Sequence, residues 1–255
     1  MKRLFGRKDD SGDTEEDDVL IEPEPPRQEP RYDASFDELR TGFTAAVSHE
    51  LRTPLARILA LLDSTELPGA DVAALVEQAR AEVENAGTLI DEILFLSELE
   101  SGKEIVALGR TTALPVLEGV VAELAGPAAR AGITFRADGD PSIDLPVRPR
   151  MLRVIVENLA ENAIRYAGHG ATFTLSVERS GTSTILTARD DGIGVSSTDL
   201  SRLFERFWRA DDARTSRGTG LGLAIVKHVV SAAGGIVEAN GARGEGLEVR
   251  CVFPG

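Results

Sequence analysis

The sequence predicts two domains of different class: an all-α helical hairpin, followed by an α/β two-layer sandwich. Three observations predict this. Apolar residues recur every three or four positions over two stretches of about thirty residues, broken by Leu67-Pro68-Gly69. Beyond residue 104 the period alternates between helix-like and strand-like. A composition of 42% hydrophobic and 27% charged residues over 255 positions suits one or two globular domains.

Residues 1–32 read differently. Asp9, Asp10, Asp13, Glu15, Glu16, Asp17 and Asp18 are followed by Pro23, Pro25, Pro26 and Pro30, with little apolar content between. That is the composition of a disordered, solvating tail. The start, Met1-Lys2-Arg3, is basic like a signal peptide, but Asp9 and Asp10 stand where an apolar core segment belongs. No apolar run reaches bilayer length, so the chain as given reads as soluble, either a whole soluble protein or the cytoplasmic piece of a membrane-anchored one.

The net charge of −14 argues against a nucleic-acid surface. One cysteine excludes an internal disulfide and suits a reducing, cytoplasmic setting. Three scattered histidines and that cysteine make no recognisable structural zinc site.

The domain 33–102 should be two helices. In the first, over 33–64, Phe36, Leu39, Phe43, Ala46, Val47, Leu51, Ile58 and Leu62 share one stripe, and His49 falls nearly opposite, toward solvent. Thr53, one turn on, shares its face, and Glu50 is its neighbour. Pro54 should bend the helix. In the second, over 70–100, Val72, Leu75 or Val76, Ala79, Val83, Ala86, Ile90, Ile93 and Leu96 carry the period. Each helix is ~45 Å long at 1.5 Å per residue. A lone hairpin cannot bury such stripes; pairing two hairpins into a four-helix bundle can.

In the domain 103–255, helices are expected over 113–130, fraying at Gly126 and Pro127, over 149–166 and over 221–233. Strands are expected at 133–135, at 172–178 and 184–189 as a hairpin around Ser180-Gly181, and at 236–239 and 247–253.

Phe43-x-x-x-Val47-Ser48-His49-Glu50-Leu51-Arg52-Thr53-Pro54-Leu55 closely resembles the phospho-acceptor box of two-component sensor histidine kinases. Four further stretches, in family order, resemble the nucleotide boxes of that family's catalytic domain, a Bergerat-fold ATPase. The resemblance covers residues 33–255.

The first runs from Glu157 to Tyr166. Asn158 and Asn162 lie one helical turn apart and share a face. Magnesium retains most of its waters and takes few protein oxygens, so an amide ligand is chemically reasonable. The resemblance makes Asn162 the metal ligand and Asn158 a support of the nucleotide, with Arg165 at phosphate and Tyr166 near the base.

The second is Asp190-Asp191-Gly192-Ile193-Gly194. A carboxylate accepts from an adenine amino group, and glycines let backbone approach a ring. The resemblance assigns adenine to Asp190, with Gly192 and Gly194 beside it.

The third, 203–209, contributes Phe204 and Phe207 as the aromatic box, with Arg206 and Arg209 as candidate phosphate contacts. The fourth is Arg217-Gly218-Thr219-Gly220-Leu221-Gly222, a loop whose amides can face phosphate at a helix start. A Rossmann loop needs a strand directly before it; here the polar run 210–216 precedes, like the family's ATP lid. The family often has an acidic residue before its first nucleotide helix, where this chain has Arg148-Pro149-Arg150.

The resemblance implies an ATP- and magnesium-dependent protein-histidine kinase, homodimeric, that phosphorylates His49 and passes the phosphoryl group to an aspartate of a response regulator. The catalytic domain would swing on a hinge at 101–105. It leaves two other readings open: a phosphatase of that regulator, with Thr53 positioning water, and a non-catalytic dimeric scaffold. Cis and trans transfer are not separable from the sequence.

Overall fold

The computed structural model describes residues 34–101, 109–210 and 218–255, with side chains from Thr44 onward. The predicted tail, the hinge beyond Ser101, the run 211–216, Arg217 and the side chains of Phe36, Leu39 and Phe43 lie outside the described residues. The chain divides into two compact units, Met1–Thr41 and Gly42–Gly255. The first contributes, among described residues, the opening turns of α1. The second carries the rest of α1 and every later element.

Helix α1 is Ala34–Ser64 and continues through Pro54; α2 is Val72–Glu100, capped by Asp71, whose carboxylate accepts from the Ala74 amide at 3.1 Å. The turn between them holds Gly69 at φ 82. Arg57 reaches Glu82 across the hairpin at 3.6 Å.

The α2 stripe differs from the one expected. The apolar positions split into two faces. Ala79, Leu89, Leu96 and Leu99 are buried, whereas Val72, Val76, Val83, Ile90 and Leu94 are exposed. Leu89 sits one residue, or about 100°, from exposed Ile90, and Leu96 two residues, or about 200°, from exposed Leu94. Leu89, Leu96 and Leu99 join the core of the α/β domain. On α1, Ala46, Val47, Leu51 and Ile58 are half-buried while Leu55, Leu59 and Leu62 are exposed.

The α/β domain follows. Strands β1 (Thr111–Thr112) and β3 (Asp144–Leu145) form a small antiparallel ladder. Helix α3 is Ala113–Ala131, then β2 (Thr134–Gly139), α4 (Pro149–Tyr166), β4 (Thr172–Ser180), β5 (Ser183–Asp190), the single turn α5 (Ser197–Leu200), α6 (Gly222–Ala232), β6 (Ile236–Ala242) and β7 (Gly246–Pro254). The main sheet has the order β2-β4-β5-β7-β6; β2 and β4 are parallel and the other pairs antiparallel. Helices α3, α4 and α6 cover one face, giving the two layers.

Helix α3 runs on past Pro127 instead of fraying there. Ala128 is buried, and the helix ends at Gly132 in the left-handed region. Strand β2 is longer than expected because parallel pairing to β4 carries it to Gly139. The β4–β5 hairpin forms as expected, but its two-residue loop is Gly181-Thr182, with Ser180 opposite Ser183, one residue beyond the expected Ser180-Gly181.

The core lies between helices and sheet. Met151, Leu152, Ile155, Val156 and Leu159 of α4 meet Leu175, Leu186, Val249 and Phe253. Cys251 is fully buried there, and burial pushes its thiol up to about 12, so it is an inert packing group.

Candidate nucleotide and phospho-acceptor site

Helix α4 has two useful faces. One packs on the sheet. The other presents Asn158, Asn162, Arg165 and Tyr166, spaced at helical repeats, to a cavity of about 330 Å³. Opposite them are Gly218, Thr219, Gly220 and Gly222 at the start of α6, with Asp190 and Gly194 from the end of β5 and the loop after it. The volume is within the range of small-molecule pockets.

Asn158 donates its amide hydrogen to Val154 O at 2.8 Å, which fixes the side chain and leaves Oδ1 toward Gly222. A β-carbon on Gly222 would lie 2.6 Å from that oxygen. Gly194 has φ 63, and a β-carbon there would strike Ala242 O at 1.9 Å; only glycine lets the loop pass so close to the β6–β7 turn.

The two adjacent aspartates do different work. Asp191 Oδ1 accepts from the Thr172 amide at 2.6 Å and ties the loop to β4. Asp190 is buried, and its Oδ1 accepts from the amides of Gly192 at 2.9 Å and Leu247 at 3.3 Å. Burial holds its carboxyl above the usual range, the two amides oppose this, and Asp191 adds to it. Among the described residues no hydrogen bond is made to its other oxygen, and Asp190 lines the pocket.

His49 lies in α1 with 75% of its side chain exposed. Its Nδ1 is 3.2 Å from Glu50 Oε1. Thr53 Oγ1 lies 3.4 Å from His49 O, so it contacts the preceding turn and also lines the cleft beside His49. That cleft, about 710 Å³, is walled by His49, Glu50, Thr53 and Arg57 on one side and by Arg206, Phe207 and Trp208 on another. Arg165, Arg209, Gly218 and Thr219 line both cavities. Glu92 of α2 enters the larger cavity, and its placement was not readable from the sequence.

Most sequence-predicted residues therefore converge. Four of the expected nucleotide contacts do not line the nucleotide pocket, one of them Arg206, which lines the larger cleft and pairs with Glu100. Leu221 is fully buried in the core, and its amide donates to Thr219 Oγ1 at 3.3 Å. Gly192 abuts the end of α4, where a β-carbon would lie 2.0 Å from Ala167 O. Phe207 lines the larger cleft; its φ of 61 is unusual for a side-chain-bearing residue and is held by its amide donating to Gly220 O at 2.9 Å. Residues 208–210 are not in a strand, and the run 211–217 directly before loop 218–222 lies outside the described residues.

Arg243, in the β6–β7 turn, lines the nucleotide pocket and was missed. The turn's amide at Gly244 donates to Ile193 O at 2.8 Å, a long-range tie with no local signal.

Residues 39–102 match the family model for the His Kinase A (phospho-acceptor) domain, and residues 147–255 match that for histidine kinase-, DNA gyrase B- and HSP90-like ATPases. The chain belongs to the two-component sensor histidine kinases. Among histidine kinases it is similar to the sensor-like histidine kinase SenX3 of Mycobacterium tuberculosis, 31% identical over 227 residues, covering 87% of this chain and 55% of that one. The fold is shared with the histidine kinase AdeS of Acinetobacter baumannii, with a TM-score of 0.67 at 23% identity over 81% of this chain and 97% of that one. It is also shared with the histidine kinase ThkA in a complex with the response regulator protein TrrA, with a TM-score of 0.68 at 18% identity over 87% of this chain and 63% of that one. The chain spans about half the length of the curated histidine kinases it matches. Among the described residues of this histidine kinase, no helix is long and apolar enough to cross a membrane.

Proposed function

We propose that this chain is an ATP-dependent protein-histidine kinase that phosphorylates His49 and passes the phosphoryl group to an aspartate in the receiver domain of a response regulator. The observation that carries this is the shared lining. His49 and the phosphate-side residues Arg165, Arg209, Gly218 and Thr219 face one cleft, and the last four also line the pocket that holds Asp190 and Asn162.

With Nδ1–H donating to Glu50, the lone pair of His49 falls on Nε2. Nε2 attacks the γ-phosphorus; the new P–N bond forms as the bond to the β-phosphate oxygen breaks and ADP leaves. Glu50 orients the ring and stabilises the imidazolium charge that develops, then accepts the Nδ1 proton. The N-terminus of α6 and loop 218–222 offer amides to the phosphates, with Arg165 and Arg209 opposing the developing charge. Asp190 accepts from the adenine amino group, and Tyr166 flanks the base.

A magnesium ion fits the donors present. No cluster of His, Cys, Asp or Glu suited to a metal occurs among the described residues, so the protein's share reduces to an amide oxygen of Asn162, which suits an ion bound mainly by phosphate and water. Bound there, it would neutralise phosphate charge. Gly222, Gly220, Gly218, Thr219 and Asn158 shape that wall.

The reading includes a domain division of 1–32, 33–102 and 103–255, a homodimer and a cytoplasmic setting. The exposed row Leu55, Leu59 and Leu62 on α1 with Val76, Val83 and Ile90 on α2 supports the dimer, because a second hairpin can cover it. The family match at 39–102, and the ThkA–TrrA complex as a relative's partner, support the dimer and the regulator. ATP as substrate supports the cytoplasm.

The position of Thr53 beside His49 favours a second activity, dephosphorylation of the regulator. Thr53→Ala should slow loss of regulator phosphate more than it slows labelling of His49; equal loss, or none, would leave Thr53 as a contact to the preceding turn. The kinase reading itself is tested by chasing ATP-labelled chain with receiver domains. Movement of the label onto an aspartate is expected, and a stable label with every receiver tried would refute the transfer step.

A further inference from the structure

Glu92 projects from α2 into the cleft between His49 and the nucleotide pocket. Thr219 and Arg165 line the same cleft; burial raises the Glu92 carboxyl above the usual carboxylate range, with nearby Thr219 and Arg165 opposing the rise and Glu161 adding to it. The Oε2 of Glu92 is shut off from solvent and has no hydrogen-bond partner among the described residues. A buried carboxyl oxygen left unpaired is costly. Something else must hold it there.

The contacts of α2 with the α/β domain supply that force. Leu96 and Leu99 lie in the shared core, the Arg150 guanidinium stacks 5.8 Å over the Phe95 ring, and Glu100 pairs with Arg206. Glu92 is thus pressed against Thr219 and Arg165, two residues that also line the nucleotide pocket.

We propose that Glu92 is an acidic plug: its carboxyl group lies in the cleft beside Thr219 and Arg165, so that it and the phosphates of an incoming nucleotide compete for one rim. This rests on the nucleotide reading of the pocket. Docking of α2 then disfavours ATP, and ATP disfavours docking, by the same factor. The plug makes the docked arrangement a low-affinity state, and release of α2 strengthens nucleotide binding.

The competition is with phosphate, not with the base, which gives a readout that a packing role would not move. In the full chain, Glu92→Gln keeps the size and removes the ionisable group. It should tighten ATP binding at least about five-fold while leaving adenosine binding unchanged. Glu100→Gln loosens docking from a residue outside the pocket and should tighten ATP binding in the wild-type background but not beside Glu92→Gln, a non-additivity that marks a shared element. It also serves where Glu92→Gln folds poorly. Equal ATP affinity in wild type and Glu92→Gln, or parallel changes for ATP and adenosine, would overturn the plug alone. Absence of binding of either ligand to wild type would overturn the nucleotide reading, and the plug with it.

Discussion

Asn158 and Gly222 are matched: the asparagine's Oδ1 occupies the space that a β-carbon on the glycine would need, 2.6 Å away. The atom in the way is the far end of a side chain, so the two can separate at little cost to the fold. Asn158 is anchored by donating to the Val154 carbonyl. The cost of crowding should therefore fall on the pocket.

Gly222→Ala is expected to leave secondary structure and thermal stability near wild type, since alanine is a good helix former at the start of α6, and to weaken ATP binding roughly ten-fold. Titration with a fluorescent ATP analogue, beside a melting curve, separates the two. An unchanged affinity would mean that Asn158 does not contact the nucleotide.

Asp190 gives a prediction with opposite signs for stability and binding. Burial raises its carboxyl above the usual carboxylate range. The stabilising contribution of such a group is present below the unfolded pKa and lost as pH rises through the folded one. Asp190→Asn should thus be at least as stable as wild type at neutral pH. Binding goes the other way. The adenine amino group favours the ionised carboxylate, so ATP affinity falls as pH drops through the raised pKa. The substitution should remove that acid limb and weaken ATP at neutral pH about ten-fold or more, given roughly 1.5–3 kcal/mol for a hydrogen bond to a charged group. A wild-type affinity flat from neutral to acidic pH would contradict the assignment.

Asn162→Ala should lose magnesium-dependent ATP binding while adenosine binding persists. Isothermal titration with and without the metal reports both. Equal metal dependence in the two chains would place the ion elsewhere.

How much of this was readable in the sequence follows from how local each signal is. Helices α1, α2 and α4 were legible because their apolar period runs for many turns. The face of α4 that carries Asn158, Asn162 and Arg165 was legible for the same reason, since residues four apart share a face. The ladder of Thr111–Thr112 with Asp144–Leu145 was not, because two-residue strands have no period. The split of α2 into a face for Leu89 and Leu96 and a face for Val83 and Ile90 was not, because both are apolar and only the docked domain distinguishes them. Arg243 and Glu92 reach the site from elements distant in sequence, and nothing beside them marks it. Leu221 was read as a nucleotide contact from its place among glycines, yet its apolar side chain goes to the core.

The exposed face of the hairpin predicts association. Sedimentation of the full chain should show a dimer, and Ile90→Glu with Leu59→Glu should give folded monomer, because charges on that face cannot be buried unpaired. A wild-type monomer at all concentrations would refute the bundle.

The central claim is that His49 takes the γ-phosphoryl group of ATP. The direct measurement is incubation of the chain with γ-labelled ATP and magnesium, followed by acid and alkali treatment and comparison with His49→Gln. The account predicts a label on wild type that is lost in acid and kept in alkali, as a phosphoramidate is, and no label on a variant that still binds ATP. A label that survives acid, or one that persists on His49→Gln, would contradict it.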